Sequence, residues 1–203
     1  DDVQTKQSLV TSIDSGIEGG DCPCSFADYI GNAASGSNYG LELEFLWIPN
    51  DKIEIFSTLG LLETEFKDFI SYSHINADPE NGRGFDLSGR DQSHAPKYQL
   101  NLSFIYSLRE NLFFNLNLEA KDEFYFSDRH NSKSNSYSLL NFMVSYKKNF
   151  YEINFYGKNI TDEDYQTRGF GSFGNDPRKF YITEQYNQYA APRVFGINGK
   201  RFF

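Results

Sequence analysis

Leu112-Phe113-Phe114-Asn115-Leu116-Asn117-Leu118-Glu119-Ala120-Lys121 separates by parity. Leu112, Phe114, Leu116, Leu118 and Ala120 fall on one side, and Phe113, Asn115, Asn117, Glu119 and Lys121 on the other. Successive side chains of a strand point to opposite faces. A period of two held over these ten residues therefore predicts a β-strand with one apolar and one polar face; a helix would mix the two sets around its circumference.

The pattern extends outward. Leu100, Leu102, Phe104 and Tyr106 alternate with Gln99, Asn101 and Ser103, and Leu140, Phe142, Val144 and Tyr146 with Asn141, Ser145 and Lys147. Tyr151, Ile153 and Phe155 alternate with Glu152 and Asn154. Upstream, Leu41, Leu43, Phe45 and Trp47 alternate with Glu42 and Glu44, and Ile53, Ile55, Leu59 and Leu61 resume after a turn. Short turns are expected at Pro49-Asn50-Asp51-Lys52, Arg109-Glu110-Asn111 and Lys148-Asn149, and long polar loops near 14–25, 71–95, 128–136 and 164–190. Short turns on one side and long loops on the other are the layout of a transmembrane antiparallel up-and-down β-barrel; a β-sandwich does not usually separate its loops so strictly. The reading is all-β, with about eight strands.

Composition agrees. The 203 residues include 20 Phe and 14 Tyr against one Trp and one Met, and aromatic side chains suit a pleated surface. A mean hydropathy of −0.57, with no long apolar run, excludes a spanning helix, whereas a barrel strand needs only alternate residues to face lipid. The net charge of −9 argues against nucleic acid as a partner. Periodicity alone leaves open a soluble barrel holding a lipophilic ligand on an inward apolar face. Strand length and loop asymmetry favour the membrane, because several segments exceed what a crossing needs. Phe124-Tyr125-Phe126 and Tyr151 fit either interfacial girdles or packing at loop bases. Asp1-Asp2-Val3-Gln4 shows no secretory signal, and the chain is expected to be a piece of a longer one.

Three stretches resemble the C-terminal half of TonB-dependent receptors. Asn38-Tyr39-Gly40-Leu41-Glu42-Leu43-Glu44 resembles the family's descending strand, and Asn159-Ile160-Thr161-Asp162-Glu163-Asp164-Tyr165 the motif near its last hairpin. Ala191-Pro192-Arg193-Val194-Phe195-Gly196, running on to Phe202-Phe203, resembles the terminal strand that ends in an aromatic residue. Gly199 and Arg201 depart from the apolar pattern usual there, although an Arg near the membrane boundary can snorkel. The resemblance implies a 22-stranded barrel, roughly, occluded by an N-terminal plug. Residues 1–203 would then be one C-terminal portion of that barrel, about its last eight strands, lacking the plug. It further implies a bacterial outer-membrane location and TonB-dependent uptake of a scarce nutrient, an iron–siderophore complex first among the candidates. The expected partners are TonB through an N-terminal region outside this chain, the barrel-assembly machinery through a terminal-strand signal at Phe195 and Phe203, membrane lipid and a small-molecule substrate. A passive porin or small autonomous barrel is the alternative of another class.

Candidate substrate contacts in the loops are Tyr72, His74, Arg83, Arg90 and His94, then Arg168, Phe170, Phe173, Arg178 and Tyr181. Arg beside aromatics suits an anionic aromatic chelate through charge-assisted hydrogen bonds and stacking; a solvated loop with packed aromatic anchors would use the same residues. Glu42, Glu44, Asn115, Asn117 and Glu119 are expected to line a wet lumen. Cys22 and Cys24, one residue apart, are read as a local disulfide rather than a metal site. Arg168-Gly169-Phe170-Gly171-Ser172-Phe173-Gly174 lacks the Lys-Ser/Thr of a phosphate loop and is read as turn geometry. His74, His94 and His130 show no metal-ligand spacing, and no nucleophile–base pair is visible. Neither an enzyme nor a cofactor is expected.

Overall fold

The computed structural model describes the backbone of residues 3–12, 25–33, 35–72, 74–78, 81–173, 178 and 184–203, and the side chains of these from Ser35 onward except at 171–173. The strands are β1 (Val3–Ser12), β2 (Ser25–Ala33), β3 (Ser35–Asn50), β4 (Ile53–Asp68), β5 (Ile70–Ser71), β6 (Phe85–Asp86), β7 (Tyr98–Arg109), β8 (Leu112–Lys121), β9 (Tyr137–Lys148), β10 (Tyr151–Lys158), β11 (Gln166–Phe173), β12 (Glu184–Tyr189) and β13 (Val194–Arg201). The stretch that opened the reading is β8 from end to end. Among the described residues no helix is long and apolar enough to cross a membrane, which says nothing of strands.

Seven strands form one antiparallel sheet in the order β13-β10-β9-β8-β7-β4-β3. Its outer members β13 and β3 each have a single neighbour, so the sheet is an open wall, part of a barrel rather than a closed one. β1 and β2 pair as a separate hairpin, and a single position separates the end of β2 from the start of β3. The short turns fall where expected, between β3 and β4, β7 and β8, and β9 and β10.

The register turns the alternation into two continuous faces. Trp47, Ile55, Phe104, Leu116, Phe142, Gly157 and Phe195 lie side by side across all seven strands. Phe45, Ser57, Leu102, Leu118 and Leu140 form the next row. The rings of Phe142, Phe155 and Phe195 cluster at 5.5–6.4 Å between centroids. A Cβ at Gly157 would run into Phe142 and Phe195, so glycine leaves the space in which these rings meet. On β7 the apolar face runs from Tyr98 to Tyr106, about 27 Å along a strand at ~3.4 Å per residue. A barrel tilt of ~40° makes that roughly 20 Å across, close to the apolar band of an outer-membrane barrel. Tyr106, Tyr146 and Tyr151 share this face near the short turns. Leu43, Phe45 and Trp47 are half exposed, an apolar expanse that a soluble monomer would not carry.

The opposite face is polar. Glu44, Thr58, Asn101 and Glu119 form one row, and Ser103, Asn117 and Asn141 another. No continuous core lies beneath either face. Among the described residues the buried apolar side chains are Phe66, Phe69 and Leu87 in one cluster, Phe124 with Phe126 in the second long loop, and Leu139 near the start of β9. Of the two aromatic candidates, Phe124-Tyr125-Phe126 is thus loop packing, with Phe124 and Phe126 edge-to-face at 5.5 Å, while Tyr151 stands on the wall.

Candidate functional site

Three long connections leave the sheet on one side, joining β4 to β7, β8 to β9 and β10 to β13. The first is folded rather than free. β5 and β6 pair, the Leu87 amide donates to the Phe69 carbonyl (2.8 Å), and Ser88 Oγ accepts from the Phe69 amide (3.2 Å). His74 is buried with its ring stacked 3.8 Å from that of Phe85.

The second connection, Asp122 to Ser136, is the hub. Arg90 of the first loop donates from Nη1 to the His130 carbonyl and to Asn131 Oδ1, and from Nη2 to the Ser127 carbonyl, all at 3.1 Å. Its guanidinium lies 4.4 Å from the Tyr125 ring centroid; Lys133 is 4.5 Å from the same ring and ion-paired with Glu123 at 2.8 Å. Backbone bonds from Ile75 to Arg129 (2.7 Å) and from His94 to Tyr125 (2.8 Å) add to the join.

The third connection is clamped at its base by residues of both terminal motifs. Asn159, in a left-handed backbone conformation (φ 49°), accepts from the Glu163 amide on Oδ1 (2.9 Å) and donates from Nδ2 to the Glu163 and Ala191 carbonyls (2.9 and 3.5 Å). Its own amide donates to Asn141 Oδ1 on β9 (2.9 Å). Asp162 Oδ1 accepts from the Arg193 amide (2.9 Å), and its Oδ2 lies 3.3 Å from the Arg193 guanidinium. Tyr165 packs on Tyr137 at 4.3 Å; burial, and then the Glu119 carboxylate, raise its phenol above the ordinary value. Beyond the clamp, β11 and β12 form a hairpin. The Gly-rich run expected to be a turn is therefore strand β11 as far as Phe173. Gly169 is where Phe126 of the hub rests on the strand, since a Cβ would overlap that ring. Ser132 Oγ donates to Gln185 Oε1 (2.5 Å). The hub thus holds both neighbouring loops.

Beneath the loops the polar wall carries a chain of amides: Asn117 Nδ2 to Asn101 Oδ1 (3.1 Å), Asn141 Nδ2 to Asn117 Oδ1 (3.3 Å), and Asn141 Nδ2 also to Glu119 Oε1 (3.2 Å). A cleft of about 640 Å³ opens over it, lined by Asn115, Asn117, Glu119, Asn141, Lys158 and Tyr165 among others. This chemistry can hydrogen-bond a polar solute or water from many directions. Among the described residues no group of three or more His, Cys, Asp or Glu is placed to hold a metal.

The sequence candidates are dispersed. Glu42, Glu44, Asn115, Asn117 and Glu119 do share one face. His74 and Arg90 meet through Asn131. Arg168, exposed, covers the Phe170 ring at 4.8 Å. Tyr72, Arg83, His94 and Arg178 are exposed; His94 lies beside Phe124 with ring centroids 5.5 Å apart. Phe173 ends β11, and Cys22, Cys24 and Tyr181 lie outside the described residues. Phe195 belongs to the outward aromatic cluster, while Phe203 follows the end of β13 fully exposed. Residues overlooked as site candidates are His130, Asn131, Asn141 and Asn159. Asn159 had a signal in its place at the head of the Asn-Ile-Thr-Asp motif, and Asn141 in its polar parity on the strand.

Comparison with known proteins gives three findings. The family model for a TonB-dependent receptor-like β-barrel matches residues 1–160. The siderophore receptor PiuA from Acinetobacter baumannii superposes with a TM-score of 0.62 at 17% identity, over 89% of this chain and 23% of that one. The ferric yersiniabactin uptake receptor FyuA from Yersinia pestis does so with a TM-score of 0.62 at 20% identity, over 86% of this chain and 25% of that one. The chain thus spans about a quarter of the length of the receptors it matches, and at such identities the likeness shows the fold.

Proposed function

The chain belongs to the TonB-dependent receptor β-barrel family, and from that premise we propose that it supplies part of the wall and external loops of an outer-membrane receptor for an iron–siderophore complex. The observation that carries this reading is the amide-lined polar wall beneath three interlocked loops, on the fold of two siderophore receptors. Glu42, Glu44, Asn115, Asn117 and Glu119 line the lumen. A substrate is caught first by exposed loop residues, Tyr72, Arg83 and Arg168 among them, where the Arg168 guanidinium over the half-buried Phe170 ring fits an anionic chelate. It then passes along a wall where the neutral amides of Asn101, Asn117 and Asn141 stand among the carboxylates of Glu44 and Glu119, the amides solvating it. The chain transports and does not catalyse. Energy arrives from TonB through a region outside this chain, and the terminal strand with Phe195 and Phe203 addresses the barrel-assembly machinery.

Uptake of radiolabelled ferric siderophores by cells lacking the full-length receptor tests this. Uptake of at least one siderophore, and growth under iron limitation, should be lost with the gene and equally with TonB. If iron uptake is unchanged while a vitamin, haem or oligosaccharide is no longer taken up, the siderophore assignment is wrong and the receptor assignment stands.

A further inference from the structure

His74 and His130, 56 positions apart in the chain, are joined through Arg90 and Asn131 at the seam between the first two loops, and both are buried. Each imidazole accepts a backbone N–H on Nδ1 from the residue two positions on: Asn76 for His74 (3.1 Å) and Ser132 for His130 (3.4 Å). That acceptor role fixes the neutral tautomer, with the proton on Nε2. His74 Nε2 then faces Asn131 Oδ1 at 3.4 Å, the oxygen that also receives Arg90. His130 Nε2 is buried without a hydrogen-bond partner among the described residues. A second proton on either ring would turn an Nδ1 acceptor into a donor facing a donor, beside a guanidinium that is always charged.

We propose that His74, Arg90, Asn131 and His130 form an acid-released latch that joins the first two loops above neutral pH and lets them part in acid. The surrounding charges favour release. Burial first, and then Arg90, hold His74 below the ordinary value of 6.5, against the Asn131 hydrogen bond and the Asp128 carboxylate. Burial, His74 and Arg90 hold His130 below the same value, with Asp128 alone opposing. Asp91 faces Arg90 from its own loop. Both groups bind their proton more weakly in the latched state. The stability they contribute is therefore full above about 6.5 and drains away as pH falls through that value toward the lower one in the latch. Because both imidazoles bind their proton more weakly in the latch than outside it, opening in acid takes up as many as two protons.

This latch is independent of which substrate the receptor carries. Hydrogen exchange of the full-length receptor in lipid, corrected for intrinsic rate, tests it at about pH 7.5 and about pH 5. Protection of the amides of Ile75, Asn76 and Ser132 should fall by at least about tenfold on acidification, with the amides of β8 and β9 unchanged. A His74→Gln, His130→Gln double variant should keep the Ile75 amide protected in acid, because its acceptor is the Arg129 carbonyl, and Arg90→Ala should lack that protection at both values. Unchanged protection in the wild type, or an equal fall in the double variant, overturns the latch. If the double variant is already open at neutral pH, the single variants decide: each should open with one proton fewer than the wild type, and unaltered steepness overturns it.

Discussion

On the wall, Leu102 has Ser57 and Leu118 beside it in a row that ends in Phe45 and Leu140; in the loops, Arg90 reaches three oxygens that no neighbour also supplies for it. The wall is redundant. Its backbone ladder is satisfied strand to strand, and any apolar side chain of suitable size serves an outward position. The loops are held by individually placed polar contacts, so they depend on residue identity where the wall depends on residue class. Stability and specificity accordingly live in different parts of the molecule.

Substitution breaks or sharpens that contrast. The largest effect is expected for Leu102→Arg, midway between Tyr98 and Tyr106 on the outward face. It should cost about 2–4 kcal/mol of unfolding free energy for the full-length receptor in lipid vesicles. Ser103→Arg, one residue on and facing the other way, should stay within about 1 kcal/mol. Equal costs would mean the two faces are not in different solvents. Next comes Asn159→Ala, which removes the side-chain bonds to Glu163 and Ala191 from a buried position. A loss of about 1–3 kcal/mol should appear as faster amide exchange over 160–165 and at Ala190, while β10 stays protected. Exchange rising evenly along the strand would assign the clamp to the wall instead. Gly169→Ala should cost roughly 1–2 kcal/mol by crowding Phe126, and it should loosen β11 from the hub without touching β8. Smallest is the Asp162–Arg193 pair, exposed on both sides. A double-mutant cycle there should give a coupling below about 1 kcal/mol, and a larger one would show that the last loop shares the polar economy of the buried clamp.

The same contrast explains what the sequence disclosed. Alternation is a local, repeated signal, so β8, and with it β7, β9 and β10, could be read from parity, and the short turns from what separated them. β11 could not, because Gly169 and Gly171 interrupt any pattern and the strand exists through pairing with β12. The Arg90 contacts join positions 37 to 41 residues apart, and nothing in the run Ser127-Asp128-Arg129-His130-Asn131 announces a partner. His74 and Arg90 stand among the candidate substrate contacts because Arg beside clustered aromatics suits an anionic chelate, a reading that depends on which way the side chains face. The structure gives them partners within the loops: backbone carbonyls, an Asn amide and aromatic rings. Asn159 was visible only as a letter in a motif; its geometry shows why Asn stands there, since one amide both accepts and donates within a left-handed turn.

Arg201, which broke the apolar pattern of the last strand, lies with its guanidinium 5.6 Å from the Tyr151 ring centroid and 5.0 Å from that of Phe203. It closes the same outward face that carries Phe195 and Ile197. A fixed charge at that height cannot rise among lipid tails, and the phenol beside it prefers the headgroup layer. In the outer-membrane receptor proposed above the pair acts as a depth mark: in a thinner or thicker bilayer the lipid adjusts to this edge.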